Sequence, residues 1–462
     1  MTDSFFLRRH PTMNDRFVER DHPILLRSRN NRQRRHPPFE PPLAKVATVD
    51  FPITRGSRAA GDSLSHLCVR PVAVGVRCCG SSGTEKFRLI AMTSATSAPP
   101  AVRQGTCFVT GGTGLVGNNV VRRLLDRGSQ VRVLVRPRPG STDRSLEGLS
   151  VDQRTGSLED EACLQQAVDG ASLVIHSAAV VHCGWRHSEE MRRVNVEGTS
   201  RLARAARRAG VRFVYVSSVD ALGLRSDGLP ADEETPPGGM VECPYVVTKR
   251  EAEAAVLAEV DQGLDAVIVN PVYMIGPWDW KPSSGRMLLE VSSGKGLLAP
   301  PGANDFVDVR DVVSGIEAAA ARGQTGRRYI LGGHPLTYLE AWRVFAEVTG
   351  RRPPLGNAPP LAVRTAGWFG DLAATVLRRE PPVNSAAAGM SMLQHNFSCE
   401  RAKNELGYQF RPFAETVADA WAWFCEHGYA GGQQEQYTQS SSCHTSSSSR
   451  TRTISPSASS TT

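Results

Sequence analysis

Between residues 107 and 269, short apolar runs alternate with longer stretches whose apolar positions recur every three to four residues. Cys107–Val109, Val131–Val135, Ser172–His176, Phe213–Val216 and Ala266–Val269 read as strands. Val116, Val120 and Leu124 fall on one helical face, and Glu189–Arg208 and Tyr245–Val260 carry helical patterns. The strands are mainly apolar rather than strictly alternating. That predicts a doubly wound α/β fold: a parallel sheet buried by helices on both faces. From Pro277 onward glycine, proline and loops mix with helices at Asp311–Ala321, Tyr338–Val348 and Ala414–Glu426. A smaller C-terminal substrate-binding lobe over the sheet is expected there. Leu361–Leu377 is apolar but interrupted by Arg364 and Asp371. It reads as a core helix, with contact to a membrane or a hydrophobic substrate as the alternative.

The ends differ from this pattern. Residues 1–104 hold ten prolines and no sustained apolar periodicity, and read as a disordered basic extension. A translation start near Met92 is the preferred alternative for this stretch. The early arginines precede no apolar run, so a signal peptide is not expected and the protein is expected to be cytoplasmic. Residues 432–462 are rich in Gln, Ser and Thr and read as a disordered tail. Domains are therefore expected at 105–276 and 277–431.

Charge follows the same division. Net charge is +8, but residues 1–100 hold 14 Arg and 2 Lys against 5 Asp and 3 Glu. Residues 101–431 hold 36 basic and 37 acidic residues. That balance argues against a nucleic-acid-binding core. No apolar stretch is long enough to span a bilayer. The ten cysteines form no CxxC pair, so no metal site is expected. The chain has six Lys against 48 Arg. A lysine inside a motif therefore carries more weight than an arginine cluster.

The candidate chemistry starts at Thr110–Gly117, TGGTGLVG, where the first strand meets the first helix. Gly111 suits a tight turn, Gly114 lets a pyrophosphate approach the backbone, and Gly117 lets the helix pack on the strand. The helix N-terminus, with Leu115 and Val116, offers free N–H groups to phosphate. Arg136 ends the second strand where an acid would select NAD, so NADP is favoured, with NAD the alternative. Tyr245 and Lys249 share a helix face at i, i+4. An ammonium there is expected to lower the phenol pKa and make Tyr245 a proton donor and acceptor. Ser217-Ser218 end the FVYV strand on the side where parallel sheets bind ligands.

Taken in order, these motifs resemble the extended short-chain dehydrogenase/reductase family, over about residues 105–430. The others are VIHSAA (174–179), NVEGT (195–199), YVSSVDALG (215–223), PYVVTK (244–249), NPVYMIGP (270–277), FVDVRDVV (306–313) and YILGG (329–333). VRVLVRP (131–137), VIVNPVYMIGP and RRYILGG are most similar to a bacterial branch of dihydroflavonol-reductase-like proteins and hopanoid-associated sugar epimerases. The resemblance implies a Rossmann-type fold and catalysis by Ser218, Tyr245 and Lys249. It also implies nucleotide contacts from Ser157, Leu158, Ala178, Ala179, Asn270 and Pro271, and a homodimer. Two departures stand out. GSLED has Ser157 where the family often carries an adenine-binding aspartate, and Arg310 stands where an acid is common.

Three activities remain in view. The preferred one is NAD(P)-linked hydride transfer at a carbonyl or alcohol carbon of a small molecule. Nucleotide-sugar epimerisation, with Lys281, Arg286 and Lys295 holding the substrate pyrophosphate, is second. A non-catalytic NADP sensor is third. A dehydratase is disfavoured, because Val219-Asp220 supplies one acid rather than two. Trp185 and His187 read as a surface loop, and His176 as a packed residue rather than a base.

Overall fold

The computed structural model describes residues 105–136 and 143–430. The chain divides at Ala91/Met92, and every described residue lies in the second unit. The readings of residues 1–104 and 432–462 lie outside the described residues.

The first half builds a parallel sheet from β1 (Thr106–Thr110), β2 (Gln130–Val135), β3 (Asp152–Thr155), β4 (Ala171–His176), β5 (Arg212–Val216) and β6 (Ala266–Pro271). Helices α1 (Leu115–Asp126), α2 (Glu161–Val168), α3 (Ser188–Met191), α4 (Thr199–Ala209) and α5 (Pro244–Val260) connect them. Helix α3 runs through a π-helical stretch, Arg192–Gly198, into α4. The five strands expected from sequence are present. β3, sequence DQRT, is an additional exposed edge strand.

The second half contains β7 (Tyr273–Ile275), α6 (Arg286–Ser292), β8 (Leu298–Ala299), β9 (Ala303–Asp308) and α7 (Val309–Arg322). It continues with β10 (Arg328–Leu331), β11 (His334–Thr337), α8 (Tyr338–Val348), β12 (Gly356–Asn357) and α9 (Pro360–Leu377). Helices α10 (Ser385–Met390), α11 (Glu400–Leu406) and α12 (Phe413–Glu426) complete it. β10 pairs in parallel with β6, giving a seven-stranded sheet of order β10-β6-β5-β4-β1-β2-β3. The boundary expected at 276 is therefore not a single cut, since β10 and α7 return to the main sheet.

One sheet face is buried by α2, α4 and α5 through Leu164, Leu202 and Val256. The other is buried by α1, α7 and α11 through Val120, Ile316 and Leu406. A separate core of Phe306, Phe345, Trp421 and Phe424 holds the smaller lobe. Arg310 ties the two together. It pairs with Asp308 and with Asp419 of α12, each at 2.6 Å.

Helix α9 departs from the core reading of Leu361–Leu377. Its buried positions are Gly367, Gly370 and Ala374, while its large apolar side chains face outward.

Candidate active site

β1 ends at Thr110, and Gly111 takes φ +76°, a left-handed conformation that favours glycine. A Cβ there would lie 2.6 Å from the Ala178 nitrogen. Gly114 N–H donates to the Gly111 carbonyl at 2.9 Å, closing the turn before α1. A Cβ on Gly117 would overlap that same carbonyl, so the third glycine sets how closely helix and loop pack.

A cleft of about 1110 Å³ opens above this loop. Its walls include Gly111, Gly114, Arg136, Ser157, Leu158, Ala178 and Ala179, seven of the residues singled out from sequence. Leu115, Val116 and Gly117 lie on the first turn of α1 beneath the loop rather than on the cleft wall. The glycine floor and the volume fit a dinucleotide. Ser157 Oγ accepts from the Glu159 N–H at 3.1 Å, so a hydroxyl occupies the place of the family acid. Lys281 reaches this cleft and pairs with Asp143 at 2.8 Å.

Ser218, Tyr245 and Lys249 come together at the C-terminal end of β5, and all are buried. Pro244 starts α5, where its fixed φ suits the first helical position, and this sets Tyr245 and Lys249 on one face. Lys249 Nζ donates to the Val216 carbonyl at 3.2 Å and lies 5.3 Å from the Tyr215 ring. Ser218 Oγ donates to Asp220 at 3.1 Å and contacts the Tyr245 phenol. Burial pushes the Tyr245 phenol well above its ordinary value, the Asp220 charge adds to this, and the Ser218 contact opposes it. This differs from the lowered phenol pKa expected of the Tyr/Lys pair. Desolvation and the nearby Asp220 carboxylate dominate at this phenol.

Lys249 is itself shifted. Burial holds its ammonium down to about 8 from 10.5, against the opposing pull of Glu253 and Asp220. The folded chain therefore binds fewer protons than the unfolded chain between those values, and its stability rises with pH there. Below about pH 8 the buried charge costs up to about 3 kcal/mol. Lys249→Met is expected to raise the melting temperature at pH 7, with the gap to wild type closing toward pH 10. Melts of both proteins across that range, without added nucleotide, check this. A variant less stable than wild type at pH 7 would show that the ammonium stabilises the fold.

Asn270 is expected among the nucleotide contacts, whereas Asn195 and His395 carry no role in the sequence reading. Asn270 is fully buried, and its amide donates to the Ser218 carbonyl at 2.9 Å and to Glu253 at 2.6 Å. Those bonds anchor the Ser218 backbone, and neither Asn270 nor Pro271 lines the cleft above the glycine loop. Asn195, inside the π-helical stretch, bonds both backbone groups of Val180 and so fixes the loop after β4. The NVEGT motif carries this residue in the sequence. His395 is buried with Nε2 lacking a hydrogen-bond partner, 3.8 Å from Asp220. No sequence signal marked it. His176 bonds Thr110 at 2.6 Å and Thr199 at 2.8 Å, and burial, then the Lys249 charge, hold it down to about 3. It is a neutral, packed ring, as read from sequence.

The remaining sequence candidates separate. Lys295 pairs with Glu290 on the surface, and Arg286 is exposed on α6. Of these three basic residues only Lys281, held by Asp143, lines the cleft above the glycine loop. Trp185 lies in a surface loop, its backbone N–H donating to Glu380 at 2.9 Å. His187 pairs with Glu190. Among the described residues no cluster of His, Cys, Asp or Glu could hold a metal ion.

A parallel sheet with a glycine cradle at its first crossover defines a dinucleotide-dependent enzyme. Comparison with known proteins gives the family. Residues 107–332 match the model of the NAD dependent epimerase/dehydratase family. The chain is 35% identical to sterol demethylase protein B of Methylococcus capsulatus, over 70% of this chain and 99% of that one. It is 32% identical to a 3 beta-hydroxysteroid dehydrogenase/Delta 5-->4-isomerase of Mycobacterium tuberculosis, over 66% and 86%. The crystal structure of gox2253 is 38% identical with a TM-score of 0.61, covering 70% of this chain and 99% of that one. The chain belongs to the NAD-dependent epimerase/dehydratase family, within the extended short-chain dehydrogenases/reductases.

Proposed function

We propose that this enzyme is an NADP-preferring oxidoreductase acting at a carbonyl or alcohol carbon of an apolar small molecule. The nicotinamide, when bound, supplies or accepts the hydride. Tyr245 exchanges a proton with the substrate oxygen, and Ser218 orients that oxygen. Lys249 supplies positive charge beside the phenol, and Asn270 holds the Ser218 backbone in place. His176, neutral and doubly bonded, takes no proton. The observation that carries this reading is the apolar setting of the buried Ser218, Tyr245 and Lys249 cluster. Tyr245 belongs to a core with Met240, Cys243 and Val272, against which Val180, Cys183 and Met390 pack. Such surroundings suit an apolar carbonyl compound, and of Lys281, Arg286 and Lys295 only Lys281 lines the cleft, which leaves no three-residue clamp for a sugar-nucleotide pyrophosphate. The sterol and hydroxysteroid names of two relatives support the same substrate class.

The test is direct. Purified protein is incubated with NADPH and a panel of apolar and polar ketones, then with UDP- and dTDP-sugars. Net NADPH consumption with apolar ketones is the expected result. Sugar interconversion without net consumption would establish the epimerase reading instead. Nucleotide binding with neither activity would favour a sensor.

Arg136 accounts for the coenzyme preference, because it lines the cleft and forms no ion pair among the described residues. A charge-assisted bond to a 2′-phosphate contributes about 1.5–3 kcal/mol. Arg136→Ala is thus expected to weaken NADP binding about tenfold to a hundredfold and leave NAD binding unchanged. Titration with both nucleotides checks this, and equal loss for both would remove the role.

A further inference from the structure

Helix α9 packs on the protein through its smallest residues. A Cβ on Gly367 would lie 2.8 Å from that of Ala388, and one on Gly370 would overlap the Val383 carbonyl. The opposite stripe carries Leu361, Trp368, Phe369, Leu372 and Val376, between 49% and 75% exposed. Their spacing of i, i+7, i+8, i+11 and i+15 places them along one side of a helix about 27 Å long. The Trp368 and Phe369 rings lie 5.0 Å apart on that face.

The polar rim of this face has one sign. Arg364, Arg378 and Arg379 are exposed and form no ion pair among the described residues. The two acids of the segment are turned inward. Asp371 accepts from the Ser385 N–H, and Glu380 accepts from His182 and from the backbone of Trp185 and Arg186. An aromatic apolar stripe bordered by unpaired arginines is the pattern of a helix lying in a lipid–water interface. Among the described residues no helix is long and apolar enough to cross a membrane.

We propose that α9 docks the enzyme on an anionic lipid bilayer, lying in its plane with Trp368 and Phe369 inserted and Arg364, Arg378 and Arg379 against the head groups. A twofold contact with a second copy is less well matched, because an isologous interface would set the arginine rim against itself. Helix α9 is tied to the active-site surroundings through Glu380, just beyond it, which holds the loop of His182, Trp185 and Arg186. Cys183 of that loop packs against the core that contains Tyr245. The docking itself does not depend on which substrate is turned over.

The test uses the full chain, so the basic N-terminal residues contribute equally to every variant. Binding is measured by co-sedimentation with vesicles of phosphatidylcholine alone, or mixed with phosphatidylglycerol. The wild type is expected on the mixed vesicles, released by high salt. Trp368→Glu with Leu372→Glu is expected to weaken binding about tenfold or more, with nucleotide binding in vesicle-free buffer unchanged. Arg364→Ser with Arg379→Ser removes no apolar contact and is expected to weaken binding to mixed vesicles alone. Trp368→Phe is expected to keep binding and to abolish part of the quenching by brominated lipid. Equal binding by the double-Glu variant, or no binding by the wild type, overturns the proposal. So does a double-Glu variant that turns a dimer into a monomer while vesicle binding persists, since the face then joins two copies.

Discussion

Tyr245→Phe is expected to lower turnover by about 10²–10⁴-fold and leave nucleotide affinity nearly unchanged. The phenol is 8% exposed and its ring is packed in the core around Cys243 and Val272. Phenylalanine keeps that packing and removes only the oxygen, so the fold is retained. What disappears is the one proton-bearing group that touches Ser218 and lies on the face of α5 that carries Lys249. Water is a poor substitute, since burial that raises the phenol pKa also excludes solvent. Steady-state turnover with nucleotide titration of the same sample checks the prediction. Unchanged turnover would take Tyr245 out of the chemistry. Loss of nucleotide binding by the same factor would make it a structural residue.

Gly117→Ala and Gly114→Ala are both expected to lose nucleotide binding, but only the first is expected to lose stability with it. At Gly117 the new methyl meets the Gly111 carbonyl, a rigid backbone atom held by the loop itself. Helix α1 must move off the loop, at a cost of about 3 kcal/mol, and the phosphate cradle opens with it. At Gly114 the nearest atom to an added Cβ is the same carbonyl at 3.4 Å, an ordinary contact. The fold tolerates that methyl, but it stands in the cleft. Gly114→Ala should therefore melt close to wild type and bind nucleotide at least about tenfold more weakly. Gly117→Ala should lose both stability and binding. Melting curves with and without NADPH separate the two, and a stable, nucleotide-binding Gly117→Ala would refute the packing argument.

Sequence pattern was informative where burial dominates. β1, β2, β4, β5 and β6 are apolar because both their faces are covered, and all five were legible. β3 was not, because DQRT is an exposed edge that pairs through its backbone and needs no apolar side chain. Helix α9 misled for the complementary reason. Its periodicity is real, but glycine and alanine make the buried side and the large apolar residues make the exposed one. The glycine loop and the Ser218, Tyr245 and Lys249 group were legible because each lies in a short continuous motif. Asp220, His395 and the tie between Lys281 and Asp143 are products of tertiary folding. So is the burial that sets the Tyr245 and Lys249 protonation against the simple expectation of a paired ammonium.

The return of β10 to the main sheet also governs the order in which this chain can be assembled. During synthesis β6 emerges more than fifty residues before its outer partner. Over that interval its buried, fully apolar Ala266–Val269 segment is an open sheet edge, the kind of surface that recruits foreign strands. The sheet closes only when Arg328–Leu331 and α7 arrive together. A chain ended near residue 276 would keep its glycine cradle and its Tyr/Lys pair but expose that edge, and aggregation would be its first observable property.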